Sequence, residues 1–197
     1  MEHKHHENCI SWTVSDSLSF SVNTYEYYAL HDYLPSNMFP NDKILQEDIQ
    51  KRQYIWDFKK GFDYATIRAI KELEQMILNI GCDLTDVIFI PIPASTQYKT
   101  NIRFKNFCNG ISRRLNVQNG FGAIITADHE PKKGSSGIKI EHFTFHPDFY
   151  KGKNVILFDD IITTEETFKQ TADMLMQGGA LSVKGIFLAK TVHKYNE

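Results

Sequence analysis

A three-layer α/β domain with a mostly parallel central sheet is the fold this sequence predicts, and three observations carry it. The runs Val87-Ile88-Phe89-Ile90 and Asn154-Val155-Ile156-Leu157-Phe158 are apolar without alternation, as strands buried on both faces of a parallel sheet are. Around them lie stretches whose apolar residues recur at three and four, the helical period. The last of these sits between two strand-like runs, and strand, helix, strand in that order implies a right-handed parallel crossover.

The elements follow in order. Residues 10–34 are rich in Ser, Thr, Tyr and Trp, and Leu18-Ser19-Phe20-Ser21-Val22 alternates, which predicts a hairpin or edge strands on the outside of the main domain. Tyr25, Tyr27, Tyr28 and Tyr33 read as packing aromatics there. Residues 35–41, with two prolines and two asparagines, read as a loop. Asp42 is placed to cap a helix showing Ile44, Leu45, Ile49 and Trp56 on one side. After Gly61, Asp63 is placed to cap a second helix with Ile67, Ile70, Leu73 and Ile77 on its apolar face, and Gly81 sits where a terminating glycine belongs.

The strand at 87–90 runs into Pro91-Ile92-Pro93-Ala94-Ser95, which cannot stay a regular central strand. A helix is expected over 106–115, ending near Asn116, then a strand over 121–126 and a polar loop over 127–142. The second buried strand, 154–158, delivers Asp159-Asp160 at its carboxyl end. A loop at 161–165 leads to a helix over 166–177 with Phe168, Ala172, Leu175 and Met176 on one side; Gly178-Gly179 ends it before a strand at 183–188.

The whole suits one domain with an N-terminal addition, divided as 1–50 and 51–197. An apolar share of 42% allows a real core. With 22 basic and 24 acidic residues nearly cancelling, the chain lacks the excess of Lys and Arg that non-specific nucleic-acid binding needs. No apolar run approaches the ~20 residues of a membrane-spanning helix. The first nine residues hold no apolar core and do not read as a secretory signal. Cys9, Cys82 and Cys108 include no C-x-x-C and suggest no disulfide framework, so a reducing cytoplasm is the expected setting. His3, His5, His6 and Cys9 have metal-ligating chemistry, but a flexible tail is the better reading; Cys108 reads as a buried thiol.

The chemistry lies in Asp159-Asp160-Ile161-Ile162-Thr163-Thr164-Glu165-Glu166-Thr167. Adjacent carboxylates accept hydrogen bonds from a vicinal diol such as the ribose hydroxyls. Threonine hydroxyls beside the backbone N–H groups of a helix start make a phosphate seat. In open parallel sheets ligands bind beyond the carboxyl ends of the strands, where these residues fall. Diol and phosphate one sugar apart describe a ribose 5-phosphate.

An apolar strand ending in Asp-Asp, two apolar residues, Thr-Thr, any two residues, then Thr resembles the phosphoribosyl pyrophosphate (PRPP) signature of type I phosphoribosyltransferases. Ile90-Pro91-Ile92-Pro93 followed by Arg103-Phe104-Lys105-Asn106 resembles the ComF-like branch, in which Arg-Gly-Phe-Asn precedes a helix; Arg103 and Asn106 match, while Phe104 and Lys105 do not. The likeness covers about residues 55–190 and implies a Rossmann-like fold. It implies that Asp159 and Asp160 hold the ribose hydroxyls and that Ile161, Thr163, Thr164, Glu165, Glu166 and Thr167 surround the 5-phosphate. Pro93, Ala94 and Ser95 would form the pyrophosphate loop. Arg103, Lys99, Lys105, Lys132 and Lys133 would steady the leaving group, with Mg²⁺ carried on the phosphates and needing few protein ligands.

The partner implied is PRPP with a base or amine acceptor, and a homodimer stays open. Two departures bear on activity: Glu165 stands where the family has Gly, and the zinc-ribbon cysteines of ComF-like proteins are absent. Three readings follow: a phosphoribosyltransferase, a non-catalytic ComF-like accessory protein linked to DNA uptake, or a subunit docking through its N-terminal aromatic segment.

Overall fold

The two unbroken apolar runs are adjacent parallel strands at the centre of the computed structural model, which describes residues 18–22 (backbone), 25–127 and 140–193. In chain order the elements are β1 (Leu18–Val22), β2 (Tyr25–Tyr33), α1 (Gln46–Lys59), α2 (Asp63–Asn79), β3 (Val87–Pro91) and α3 (Gln97–Leu115). Then come β4 (Gln118–Asn119), β5 (Ile124–Thr126), β6 (Phe143–Phe145), β7 (Asn154–Ile162), α4 (Glu166–Gln177) and β8 (Ser182–Thr191). The main sheet runs β1-β2-β8-β7-β3-β4, parallel throughout except for the β1–β2 hairpin at one edge, and β5 pairs antiparallel with β6.

Because successive side chains on a strand point to opposite faces, wholly apolar strands feed two cores. Phe89 of β3 and Ile156 and Phe158 of β7 join α1, α2 and α3 on one face. Ile88, Ile90, Val155 and Leu157 join Tyr27, Phe168, Leu175 and Phe187 on the other, under α4. On the first face Phe107 stacks on Phe158 with centroids 4.5 Å apart, and Phe58 meets Phe107 edge-on at 5.3 Å. Burying each such ring contributes about 1.5–3 kcal/mol. Helices over both faces of a mostly parallel sheet are the expected fold class.

The hairpin expected from the Ser- and Tyr-rich segment is β1–β2, and β2 also pairs parallel with β8 from Tyr27↔Gly185 to Tyr33↔Thr191. Part of the segment read as an addition is thus built into the main sheet.

Other expectations need correcting. Asp42 does not cap α1: it lies in a separate 3-10 turn, and Leu45 occupies the cap position without a side-chain bond. The buried Arg52 explains this. It donates to Asn41 Oδ1 at 2.7 Å and to the Phe39 carbonyl at 2.8 Å, folding the entering segment back along the helix. Asp63 is the first residue of α2 rather than its cap, where its charge still complements the helix dipole. Ile67 and Leu45 are exposed, the buried stripe of α2 being Ala65, Ala69, Leu73, Met76 and Ile77. Gly81 does end α2, at φ +67°, a left-handed conformation that suits glycine.

The strand expected over 121–126 is confined to β5, and β7 continues past 158 to Ile162 because β8 pairs with it as far as Lys190. The histidine-rich start with Cys9 lies outside the described residues. Cys108 is fully buried, and burial pushes its thiol well above the ordinary range.

Candidate functional site at the carboxyl end of the sheet

Three connections meet beyond the carboxyl ends of the parallel strands: 92–96 after β3, 163–165 after β7, and 192–193 after β8. The first is held by local chemistry. Ile92 N–H donates to the Phe158 carbonyl at 2.7 Å, carrying the ladder past Pro91. The Ala94 N–H donates to Thr100 Oγ1 at 3.0 Å, and that hydroxyl donates to the Thr96 carbonyl at 2.9 Å. Pro93 and Ala94 are buried and Ser95 is half-buried.

Thr96 then caps α3, its Oγ1 accepting from Lys99 N–H at 3.1 Å. The helix therefore begins at Gln97, well before the expected 106, and Arg103-Phe104-Lys105-Asn106 lies inside it rather than ahead of it. That placement sorts the cations. Lys99 and Arg103, four apart, share a face, and Lys99 Nζ lies 3.5 Å from Ser95 Oγ. Lys105, two residues on from Arg103, is turned to another side and exposed. Lys132 and Lys133 lie outside the described residues.

Asp160 is buried, and its carboxylate is met by two cations. Arg103 Nη1 lies 2.6 Å from Oδ2, and Lys59 Nζ, from the end of α1, lies 3.5 Å from Oδ1. A buried charge so paired is tolerated, whereas removal of one partner leaves an uncompensated charge. Asp159 Oδ1 accepts the Asp160 N–H at 2.8 Å. Burial, and then the Asp160 charge beside it, push the Asp159 carboxyl up to about 8, against the opposing pull of Arg103, that N–H and Lys59. Of the two, Asp159 is the carboxyl whose proton is held more tightly than an ordinary aspartate's.

The 163–165 loop is tied to β8. Thr163 Oγ1 lies 3.0 Å from Thr191 Oγ1, and the Thr163 carbonyl lies 3.5 Å from His193 Nε2. Thr164 is exposed, Ile161 and Thr167 are half-buried, and Glu166 accepts from Gln170 at 3.0 Å on the outer side of α4. No side chain caps the start of α4.

Glu165 keeps part of its side chain exposed while its carboxylate is held toward the sheet. Its carboxylate accepts from the hydroxyl of Tyr27, a fully buried residue, and Lys190 Nζ lies 3.6 Å from the same oxygen. Lys190 also donates to the Tyr27 oxygen at 2.7 Å. With φ at −74° the Glu165 backbone is ordinary and does not call for glycine.

Sequence reasoning missed Lys59, Tyr27 and Lys190 as parts of the site. Lys59 and Lys190 carried no motif signal, and Tyr27 was read only as a packing aromatic. Each reaches the motif through tertiary packing.

No family model matches the sequence, and no curated protein matches it. In structure the chain is similar to a hypoxanthine-guanine-xanthine phosphoribosyltransferase (17% identity over 72% of this chain and 70% of that one, TM-score 0.34). It is also similar to the hypoxanthine phosphoribosyltransferase of Trypanosoma cruzi (15% identity, 74% of each chain, TM-score 0.37). A third similar structure is the purine phosphoribosyltransferase of Pyrococcus horikoshii (17% identity, 68% of this chain and 91% of that one, TM-score 0.37).

Proposed function

We propose that the chain binds PRPP with Mg²⁺ beyond the carboxyl ends of β3 and β7 and transfers its phosphoribosyl group to a nitrogenous base or amine. One observation carries the reading: Asp159 and Asp160 lie near the carboxyl end of the central parallel strand β7, and after Ile161 and Ile162 a short threonine loop leads into an uncapped helix start. On this reading a diol acceptor and a phosphate seat would lie on neighbouring segments of one backbone.

The donors present suit Mg²⁺. They are hard carboxylate oxygens, few in number, as befits an ion that keeps its waters and rides on phosphate oxygens. Among the described residues no group of three or more His, Cys, Asp or Glu gathers into a cage, and Mg²⁺ would come to the site on PRPP without a direct protein ligand. Arg103 Nε is buried without a hydrogen-bond partner, a donor left over beside the Arg103–Asp160 ion pair. The ion, when bound, would offset charge on the pyrophosphate.

The rest falls to the chain's own residues. Asp160 and Asp159 hold the sugar hydroxyls, while Ser95, Lys99 and Arg103 face the departing pyrophosphate. The bond from C1 to the pyrophosphate oxygen breaks as C1 bonds to nitrogen. Catalysis of this kind rests on positioning and fixed charge rather than a covalent intermediate. Among the described residues Cys82 and Cys108 are free thiols, and no helix is long and apolar enough to cross a membrane.

A second reading, a non-catalytic ComF-like PRPP or nucleotide binder, is favoured by Glu165 in the loop and by the Asp160 carboxylate already paired with Arg103 and Lys59. Calorimetric titration of PRPP and Mg²⁺ into wild type, Asp160→Asn and Glu165→Gly, each verified as folded, tests both. Binding that Asp160→Asn abolishes, with pyrophosphate released on adding bases, supports the enzyme. Binding without release under any base supports the accessory reading. No binding in any of the three overturns both.

A further inference from the structure

A glutamate at the head of a phosphate loop should repel the dianion it surrounds, since like charges a few ångströms apart cost several kcal/mol even in a partly solvated site. The observed network removes the conflict by placing the charge elsewhere. Tyr27 and Lys190 come from neighbouring strands, β2 and β8, and both meet the Glu165 carboxylate. Tyr27 donates to the carboxylate and accepts from Lys190 in turn, so the three groups form one chain from ammonium to hydroxyl to carboxylate.

Packing fixes the geometry. The Tyr27 ring is wedged edge-on against Phe168 of α4 and Phe187 of β8, each centroid 5.7 Å away. Gly185, opposite Tyr27 in the register, makes the wedge fit: a Cβ there would lie 2.6 Å from Tyr27 Cβ and 2.7 Å from Phe168 Cζ.

We infer that Tyr27 and Lys190 are positioning residues that anchor the Glu165 carboxylate against the sheet and so keep the 163–167 loop open to a phosphate. The inference rests on the reading of that loop as the 5-phosphate seat. It makes the Glu165 departure compatible with ligand binding, provided its two partners are in place.

The test is a double-variant cycle read by calorimetric titration of PRPP with Mg²⁺. Lys190→Met is expected to weaken binding about tenfold by freeing the carboxylate. Adding Glu165→Gln to it is expected to recover binding to within about threefold of wild type, because no charge remains to be held. Tyr27→Phe, with the ring and its packing kept, should show the same loss and the same recovery, smaller in size. It carries the test alone if Lys190→Met fails to fold.

A loss that persists when Glu165→Gln is added would mean that Lys190 touches the ligand directly and would overturn the inference. Binding equal to wild type in both Lys190→Met and Tyr27→Phe would overturn it as well. If wild type itself does not bind PRPP, the functional reading falls and this inference falls with it. Wild-type binding with a failed cycle sinks the anchor alone.

Discussion

Two carboxyl groups adjacent in sequence behave differently at the end of β7 because their surroundings differ. Asp160 is paired with Arg103 and Lys59, while the half-buried Asp159 is pushed up to about 8 by desolvation and by the Asp160 carboxylate beside it. The consequence for stability has a definite sign. An ordinary aspartate in the unfolded chain titrates near 3.9, so between about 4 and 8 the folded state holds a proton the unfolded state has lost. The stability this gives is complete below the unfolded value and is lost as pH rises through the folded one. Denaturation midpoints should therefore fall from pH 5 to pH 9 in wild type. Asp159→Asn, neutral throughout, should flatten that fall by at least about 1 kcal/mol, the worth of one unit. Parallel curves for the two proteins would show that Asp159 ionises normally. The motif was readable because its residues are contiguous; Lys59 was not, since only the packing of α1 over the sheet delivers it.

At the scale of elements, α3 shows where a sequence pattern conceals its own start. Its buried positions are Thr100, Phe104, Phe107, Cys108, Ile111, Ser112 and Leu115, a regular helical stripe whose first member is polar. With Gln97, Lys99, Asn101 and Arg103 around it, the first two turns look like loop. What begins the helix is Thr96, whose hydroxyl takes up the Lys99 N–H. Thr96→Ala should cost about 1 kcal/mol of stability, and Thr96→Ser should recover most of it. Because α3 carries Lys99 and Arg103 while Thr100 holds the Ala94 amide, the alanine variant should also loosen the 92–96 connection. Hydrogen exchange at Ala94 and Lys99 reports this directly: faster exchange at both is expected, and unchanged exchange would mean the connection is held without the cap. By contrast the bounds of α4 were legible, with Phe168, Ala172 and Leu175 buried and Gly178-Gly179 following the helix, although Met176, expected on the same side, is exposed.

For the whole molecule, the central strands announce themselves because strands buried on both faces admit only apolar residues. β2 does not, since its alternating polar and aromatic residues look like the outside of a fold. Yet it lies between β1 and β8, buries Tyr27 and Ala29, and brings His31 Nε2 to 3.2 Å from Glu72 Oε2 of α2. We propose that the globular unit therefore begins at β2, not near residue 50. Of the described elements, a chain starting at residue 24 loses β1 alone, and it should unfold cooperatively. A chain starting at residue 35 also loses β2, which exposes the edge of β8 and removes the Tyr27 ring from its contacts with Phe168 and Phe187. The loss of one buried ring of this size costs about 3–5 kcal/mol, a large part of the about 5–15 kcal/mol a domain has. The shorter chain should give no cooperative transition in chemical denaturation followed by near-ultraviolet circular dichroism. A transition within about 1 kcal/mol of the longer chain would instead return β2 to the status of an addition, and would leave the Glu165 carboxylate without its tyrosine partner in a fold that does not need it.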